Sequence, residues 1–274
     1  REVGITYNGE LYNYLDLKEE LTRKGHLFHT RCDTEVVLHA YKEWGPACVS
    51  RFRGMFAMGV VDLPRRRLFL ARDHFGIKPL YYRRGEGFFA FASEINALRE
   101  VGEPCTGSLP DLDLFLRYQY IPAPSTILRE VKKLPAAHSM IVDFDGRESE
   151  PYRYWDFRFE PEEGASLDQW VERFDAAVRE SVAAHLVSDV PFGVFLSGGV
   201  DSSLVAGHMR AILGEGVKGF SIGFEEEQIS ELRFAEQAAK TLGFDLVSST
   251  MREDALRELP KIVAQYGEPF GDAS

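Results

Sequence analysis

Three short phrases in this chain carry residue types that can do chemistry. The first is Val194-Phe195-Leu196-Ser197-Gly198-Gly199-Val200-Asp201-Ser202-Ser203. An apolar run, Val190–Leu196, suits a buried strand. Two glycines then turn the chain, and a helical stretch, Leu204–Leu213, follows. Glycines let backbone N–H groups converge on an anion without side-chain clashes. The helix N-terminus adds partial positive charge. Ser197, Ser202 and Ser203 supply hydroxyl donors. Asp201 would repel a phosphate unless it holds a cation that bridges to the phosphate oxygens. The loop lacks the lysine of GxxxxGKS/T and the spacing of GxGxxG. A plain Gly-Gly turn with a capping Ser or Asp is the alternative. The full string behind a buried strand favours phosphate binding.

The second phrase is Tyr7-Asn8-Gly9-Glu10-Leu11-Tyr12-Asn13, and the third is Arg31-Cys32-Asp33-Thr34-Glu35-Val36. Asn8 offers a side-chain amide and Gly9 a backbone N–H that a reacting group can approach closely. Such donors suit an oxyanion. Glu10 and Asp33 are carboxylates suited to an ammonium group. The bland alternatives are a turn at Asn8-Gly9 and a helix cap at Asp33. His74, in Asp73-His74-Phe75-Gly76, and Cys32 receive no catalytic role.

The elements that must position these residues change character along the chain. Leu11–Lys24 has Leu17 and Leu21 four apart and stops at Gly25, as a helix does. Thr34–Trp44 places Val36, Val37, Ala40, Tyr41 and Trp44 on one helical stripe, with Asp33 or Thr34 at its start and Gly45-Pro46 at its end. Phe56–Asp62, Arg67–Arg72, Leu80–Arg83 and Phe88–Ala92 read as strands. Strand pairs with a few helices predict an α+β sandwich. The polar stretch Asp156–Ser166 reads as a linker. Beyond it, a helix from Leu167 and the strands Val190–Leu196, Gly219–Phe224 and Asp245–Ser249 alternate with the helices Leu204–Leu213, Leu232–Leu242 and Arg252–Tyr266. That order predicts a parallel, doubly wound α/β sheet.

Composition narrows the function classes. The 274 residues are 45% hydrophobic and 27% charged, enough for one large or two ordinary globular domains. The net charge of −11 disfavours a duplex nucleic-acid clamp, because phosphate neutralisation needs clustered Lys and Arg. The apolar runs are too short to span a bilayer. Three scattered cysteines suit a reducing, cytoplasmic setting. The start at Arg1 and the Pro/Gly-rich end suggest a cut piece.

At the Ser197–Ser203 loop the chain resembles the N-type ATP pyrophosphatases. The resemblance implies that the loop cradles the β- and γ-phosphates of ATP and that Asp201 helps bind Mg²⁺. It also implies that Leu196 packs near the adenosine and that Ile222 lines the adenine pocket. For those two residues plain core packing stays open.

The earlier phrases resemble the class II glutamine amidotransferases. So do Arg53-Gly54-Met55-Phe56-Ala57 and Arg72-Asp73-His74-Phe75-Gly76-Ile77-Lys78-Pro79-Leu80-Tyr81. Together with the loop, the chain is similar throughout to the glutamine-hydrolysing asparagine synthetases. The resemblance implies an N-terminal-nucleophile αββα sandwich over residues 1–157, and an ATP pyrophosphatase-like domain over residues 158–274. Asn8 and Gly9 would form the oxyanion hole, and Asp33, with Glu10 beside it, would bind glutamine. The family nucleophile, an N-terminal cysteine, is expected to lie before Arg1, and the rest of the synthetase pocket beyond Ser274. The implied substrates are glutamine, aspartate and ATP, joined through a β-aspartyl-AMP intermediate. A homodimer is allowed, and neither a nucleic acid nor a membrane is implied. A related amidotransferase or β-lactam synthetase-like enzyme with another carboxylate acceptor is the alternative, as is a non-catalytic binding homologue.

Overall fold

The computed structural model describes residues 2–188, 190–224, 230–251, 255–269 and 271, with the backbone alone at 255–257. The chain divides into two compact units: Arg1–Arg158 together with Glu258–Ser274, and Phe159–Arg257.

The first unit begins with a strand. In β1 (Val3–Leu11), Val3, Ile5 and Tyr7 are half-buried, while Gly4, Thr6, Asn8 and Glu10 are exposed. The helix expected from Leu11 starts later, as α1 (Tyr14–Arg23), and α2 (Asp33–Trp44) follows. Next come β2 (Gly54–Asp62), β3 (Arg67–Arg72), β4 (Tyr81–Gly85) and β5 (Phe88–Ala92). Then α3 (Ile95–Arg99), α4 (Leu109–Tyr118), β6 (Val131–Lys133), β7 (His138–Asp143) and β8 (Tyr152–Arg153) complete the run. One antiparallel sheet has the order β1-β2-β3-β7-β8, and a second has β5-β4-β6.

The alternation along β2 explains how these layers stack. Phe56, Met58 and Val60 join Leu17, Leu21, Val36, Val37, Ala40 and Tyr41 in a core between the first sheet and α1 and α2. Ala57 faces the other way, into a core with Leu68, Leu70, Leu80, Leu134 and Met140, where Phe89 and Phe91 of the second sheet also pack. A third core joins that sheet to Ile95 and Leu98 of α3. Each large apolar side chain taken fully from water contributes about 1.5–3 kcal/mol. Two sheets with helices outside them make the expected αββα sandwich.

In the second unit, α5 (Leu167–His185) starts with a capping box, in which Ser166 and Gln169 satisfy each other's backbone N–H. Then follow β9 (Gly193–Phe195), α6 (Val200–Leu213), β10 (Lys218–Phe224), α7 (Leu232–Leu242) and β11 (Asp245–Met251). The strands are parallel in the order β11-β10-β9. Val178 and Val182 of α5, Ala206 and Met209 of α6 and Ala239 of α7 pack with Val194 and Leu196 in a single core.

The parallel α/β sheet is present, and the doubly wound expectation is met on one face. Among the described residues the helices cover one face of this sheet. The other face shows Phe195, Phe220, Ile222 and Phe224, with Phe195 80% exposed. The reason is visible in β10, which alternates exposed and buried residues rather than running apolar throughout.

The final helix, α8 (Ala255–Tyr266), carries Pro260 inside it and leads into the part of the chain that belongs to the first unit. There the Asn96 side chain donates to the carbonyls of Ala264 and Gln265 at 2.8 and 3.2 Å, serving as a C-terminal cap for α8. Lys133 and Glu268 pair at 2.6 Å. The residues Arg252 to Asp254 expected at the start of this helix lie outside the described residues.

Candidate functional sites

Asn8 and Gly9 lie inside β1, so the turn alternative is excluded. They stand opposite Ala57 and Phe56 of β2. The Asn8 side chain is on the exposed face. Gly9 has a packing reason of its own: a Cβ there would sit 2.3 Å from the Met55 carbonyl oxygen and 2.7 Å from the Phe56 Cα. Gly54 is equally tight against the Glu10 carbonyl. The two glycines let β1 and β2 approach where the motif residues sit. Asn13 holds the same corner. It accepts from Arg53 N–H at 2.9 Å and donates to the Arg51 carbonyl at 3.0 Å.

Asp33 is the first residue of α2 but does not cap it. Cys32 occupies the N-cap position, with no side-chain cap bond. Asp33 Oδ2 instead accepts the Leu11 N–H at 2.9 Å, which joins the helix start to the end of β1. Its Oδ1 takes weaker contacts from Cys32 Sγ at 3.5 Å and Thr34 Oγ1 at 3.4 Å. The Tyr7 hydroxyl lies close by. Burial pushes its pKa up, and the negative charges of Asp33 and Glu10 push it further. Asn8, Gly9, Glu10 and Asp33 therefore gather at the end of β1 where α2 begins.

Glu35, two residues beyond Asp33, carries no expectation from the motif. Its carboxylate accepts from His29 N–H at 2.9 Å, from Thr30 N–H at 2.7 Å and from the Thr30 hydroxyl at 2.6 Å. Burial works to raise its pKa, and these bonds outweigh it, holding the group at about 2. Its one local mark in the sequence is an acidic side chain in the first turn of α2.

The segment after β3 is structural, as expected. Asp73 is fully buried and accepts N–H bonds from Phe56, Phe75, Ile77 and Lys78. His74 packs edge-on against the rings of Tyr154 and Trp155, and burial holds its pKa down.

In the second unit the loop follows β9 as expected. Ser197 Oγ and Ser202 Oγ lie 2.9 Å apart, and the Gly199 N–H donates to Ser197 Oγ at 3.3 Å. Gly198 has φ +80°, and a Cβ there would lie 2.3 Å from the Phe234 carbonyl carbon. Only glycine fits between the loop and the start of α7. Gly199 takes the N-cap place of α6 and makes no side-chain cap bond to the first N–H groups of the helix. Ser202 and Ser203 are half-buried, and Asp201 is exposed in the first turn. A small anion with several acceptor oxygens fits this donor set.

Leu196 and Ile222 do not share a face. Leu196 is 1% exposed in the core and Ile222 is 52% exposed on the open face. For Leu196 the core-packing alternative describes the side chain, while its backbone N–H donates to the Phe220 carbonyl at 2.8 Å at the strand end. Among the described residues no group of three or more His, Cys, Asp and Glu could hold a metal ion. Asp201, the Mg²⁺ ligand that the resemblance implies, is not part of such a group among the described residues. No helix among the described residues is long and apolar enough to cross a membrane.

Comparison with known proteins gives a family match for each part of the chain. Residues 1–155 match the family model described as a glutamine amidotransferase domain, and residues 173–274 match that described as asparagine synthase. The chain is 37% identical over 269 residues to asparagine synthetase (glutamine-hydrolyzing) 1 of Bacillus subtilis, covering 98% of this chain and 42% of that one. It is 34% identical over 282 residues to putative asparagine synthetase (glutamine-hydrolyzing) 2 of Methanocaldococcus jannaschii, covering 100% and 53%. It is also 32% identical over 275 residues to the amidase chry2 of Gibberella zeae, covering 93% and 40%. The chain spans about half the length of these curated relatives.

Proposed function

The chain belongs to the glutamine amidotransferase family, in the branch that joins such a domain to an asparagine synthase domain, and on that premise we propose that the protein moves the amide nitrogen of glutamine onto the β-carboxylate of aspartate in a reaction driven by ATP. Residues 1–157 form the glutaminase module and residues 158–274 part of the synthetase module. The observation that carries the reading is the pairing, in one chain, of the Asn8–Asp33 cluster with the Ser197–Ser203 loop.

In the first module Asn8 and Gly9 donate to the oxyanion that forms when the glutamine amide is attacked. Asp33 receives the α-ammonium, and Glu10 adds negative charge beside it. In the second module Ser197, Gly198, Gly199, Ser202 and Ser203 hold the phosphates, with Ile222 toward the base. Mg²⁺ held by Asp201 would offset the phosphate charge. An aspartate oxygen attacks the α-phosphorus, pyrophosphate leaves, and ammonia displaces AMP from β-aspartyl-AMP to give asparagine. The ammonia must stay unprotonated, because ammonium has no lone pair for attack. The three free thiols fit a cytoplasmic protein; the assembly we expect is a homodimer.

The loop assignment is tested with a Ser197→Ala/Asp201→Ala double variant of the full-length protein. Its ATP affinity should fall by about tenfold or more, as when charge-assisted bonds are lost. Unchanged ATP affinity would sink the assignment.

A further inference from the structure

The turn 29–32, immediately before α2, is built almost wholly by one carboxylate. Glu35 reaches back from the third position of α2 and takes three donors of His29 and Thr30. The Thr30 hydroxyl, which donates to Glu35, in turn accepts the Cys32 N–H at 3.2 Å. Lys18 donates to the Thr30 carbonyl at 2.8 Å and ties the turn to α1. A run of bonds therefore leads from Glu35 through Thr30 and Cys32 to the backbone of Asp33. From the other side the Asp33 carboxylate is held by Leu11 N–H. The place of that carboxylate is set by these two attachments.

We propose that Glu35 is a positioning residue of the glutamine site, which folds the 29–32 turn so that Asp33 stands where the α-ammonium of an amino acid binds. The inference rests on the reading of Asp33 as a glutamine ligand. Three donors converge on Glu35, so an acceptor-only group is required. Glutamine there would present an N–H₂ to N–H and O–H donors. The depressed pKa of Glu35 agrees, since the ionised form is the one these donors favour. A merely structural Glu35, acting as a favourable charge at a helix N-terminus, would change stability without changing substrate affinity.

The test uses Glu35→Gln, Asp33→Asn and their double variant in the full-length protein, with glutaminase KM and kcat measured separately. AMP formation with ammonia supplied directly reports that each variant is folded. Glu35→Gln should raise the glutamine KM by about tenfold, the size expected for losing charge-assisted bonds, with kcat within about twofold. The double variant should be no worse than Asp33→Asn, because Glu35 acts through Asp33. An unchanged KM in Glu35→Gln, or full additivity with Asp33→Asn, would overturn the proposal. If Asp33→Asn itself left KM unchanged, the Asp33 reading would fall, and this inference with it. Should Glu35→Gln fail to fold, Thr30→Val, which keeps the carboxylate and breaks the link to Cys32, must show the same KM rise or the proposal fails.

Discussion

Asp33 Oδ2 accepts the backbone N–H of Leu11 at 2.9 Å, so the first residue of α2 is fastened to the last residue of β1. The same carboxylate is the one expected to meet the substrate ammonium. Its two duties separate on mutation. Asp33→Ala leaves the Leu11 N–H without its acceptor and should cost about 1–3 kcal/mol of stability. It should also raise the glutamine KM. Chemical denaturation and glutaminase kinetics read the two effects separately.

Gly9 is required by packing as well as by chemistry. Gly9→Ala puts a methyl group 2.3 Å from the Met55 carbonyl oxygen, and β1 must move away from β2. The expected cost is about 1–3 kcal/mol, as for overpacking elsewhere. Gly4, in the same strand, has nothing within 4 Å of its would-be Cβ. Gly4→Ala should therefore leave the denaturation midpoint almost unmoved, and equal midpoints for the two variants would contradict the account.

The two loop glycines should also behave differently. Gly198 combines φ +80° with a close approach to the backbone of Phe234 and Ala235, whereas a Cβ at Gly199 meets only Ser197 Oγ at 3.4 Å. Gly198→Ala should lose ATP binding by more than about tenfold, with strain of about 1–3 kcal/mol behind it. Gly199→Ala should keep the unliganded fold. Thermal unfolding with and without ATP distinguishes them.

His26 and His39 face each other with Nδ1 atoms 2.9 Å apart, and His26 Nε2 lies 3.0 Å from Glu43. A single proton can sit between the two Nδ1 atoms. Burial first, then Lys42, His26 and His29, hold the His39 pKa below its usual 6.5, against an opposing pull from Glu35. The folded state therefore binds fewer protons than the unfolded state just below that value. Stability is complete above about pH 6.5 and declines as the pH falls through it. Unfolding midpoints at pH 7.5 and pH 5.5 should differ more for the native protein than for His39→Gln. An equal difference would show that His39 is not the group responsible.

Much of this was legible in the sequence. The stripe from Val36 to Trp44 gave α2 within one residue, and Arg67–Arg72, Phe88–Ala92 and Leu232–Leu242 match their elements end to end. β1 was hidden because Asn8-Gly9 resembles turn chemistry, while its pairing with β2 depends on residues about 50 positions away. The site residues could be picked out by type, but their neighbours could not. Nothing local announces that Asp33 bonds to Leu11, or that Leu196 and Ile222 turn to opposite faces. Those relations come from strand register and from which sheet face is covered.

In the proposed reaction, glutamine hydrolysis and ATP-dependent activation of aspartate belong to one protein. AMP formation by the full-length protein, with aspartate and glutamine varied independently, tests it most directly. AMP is expected only when aspartate is present, with asparagine formed in equal amount when glutamine is added. AMP released at the same rate without aspartate would contradict it.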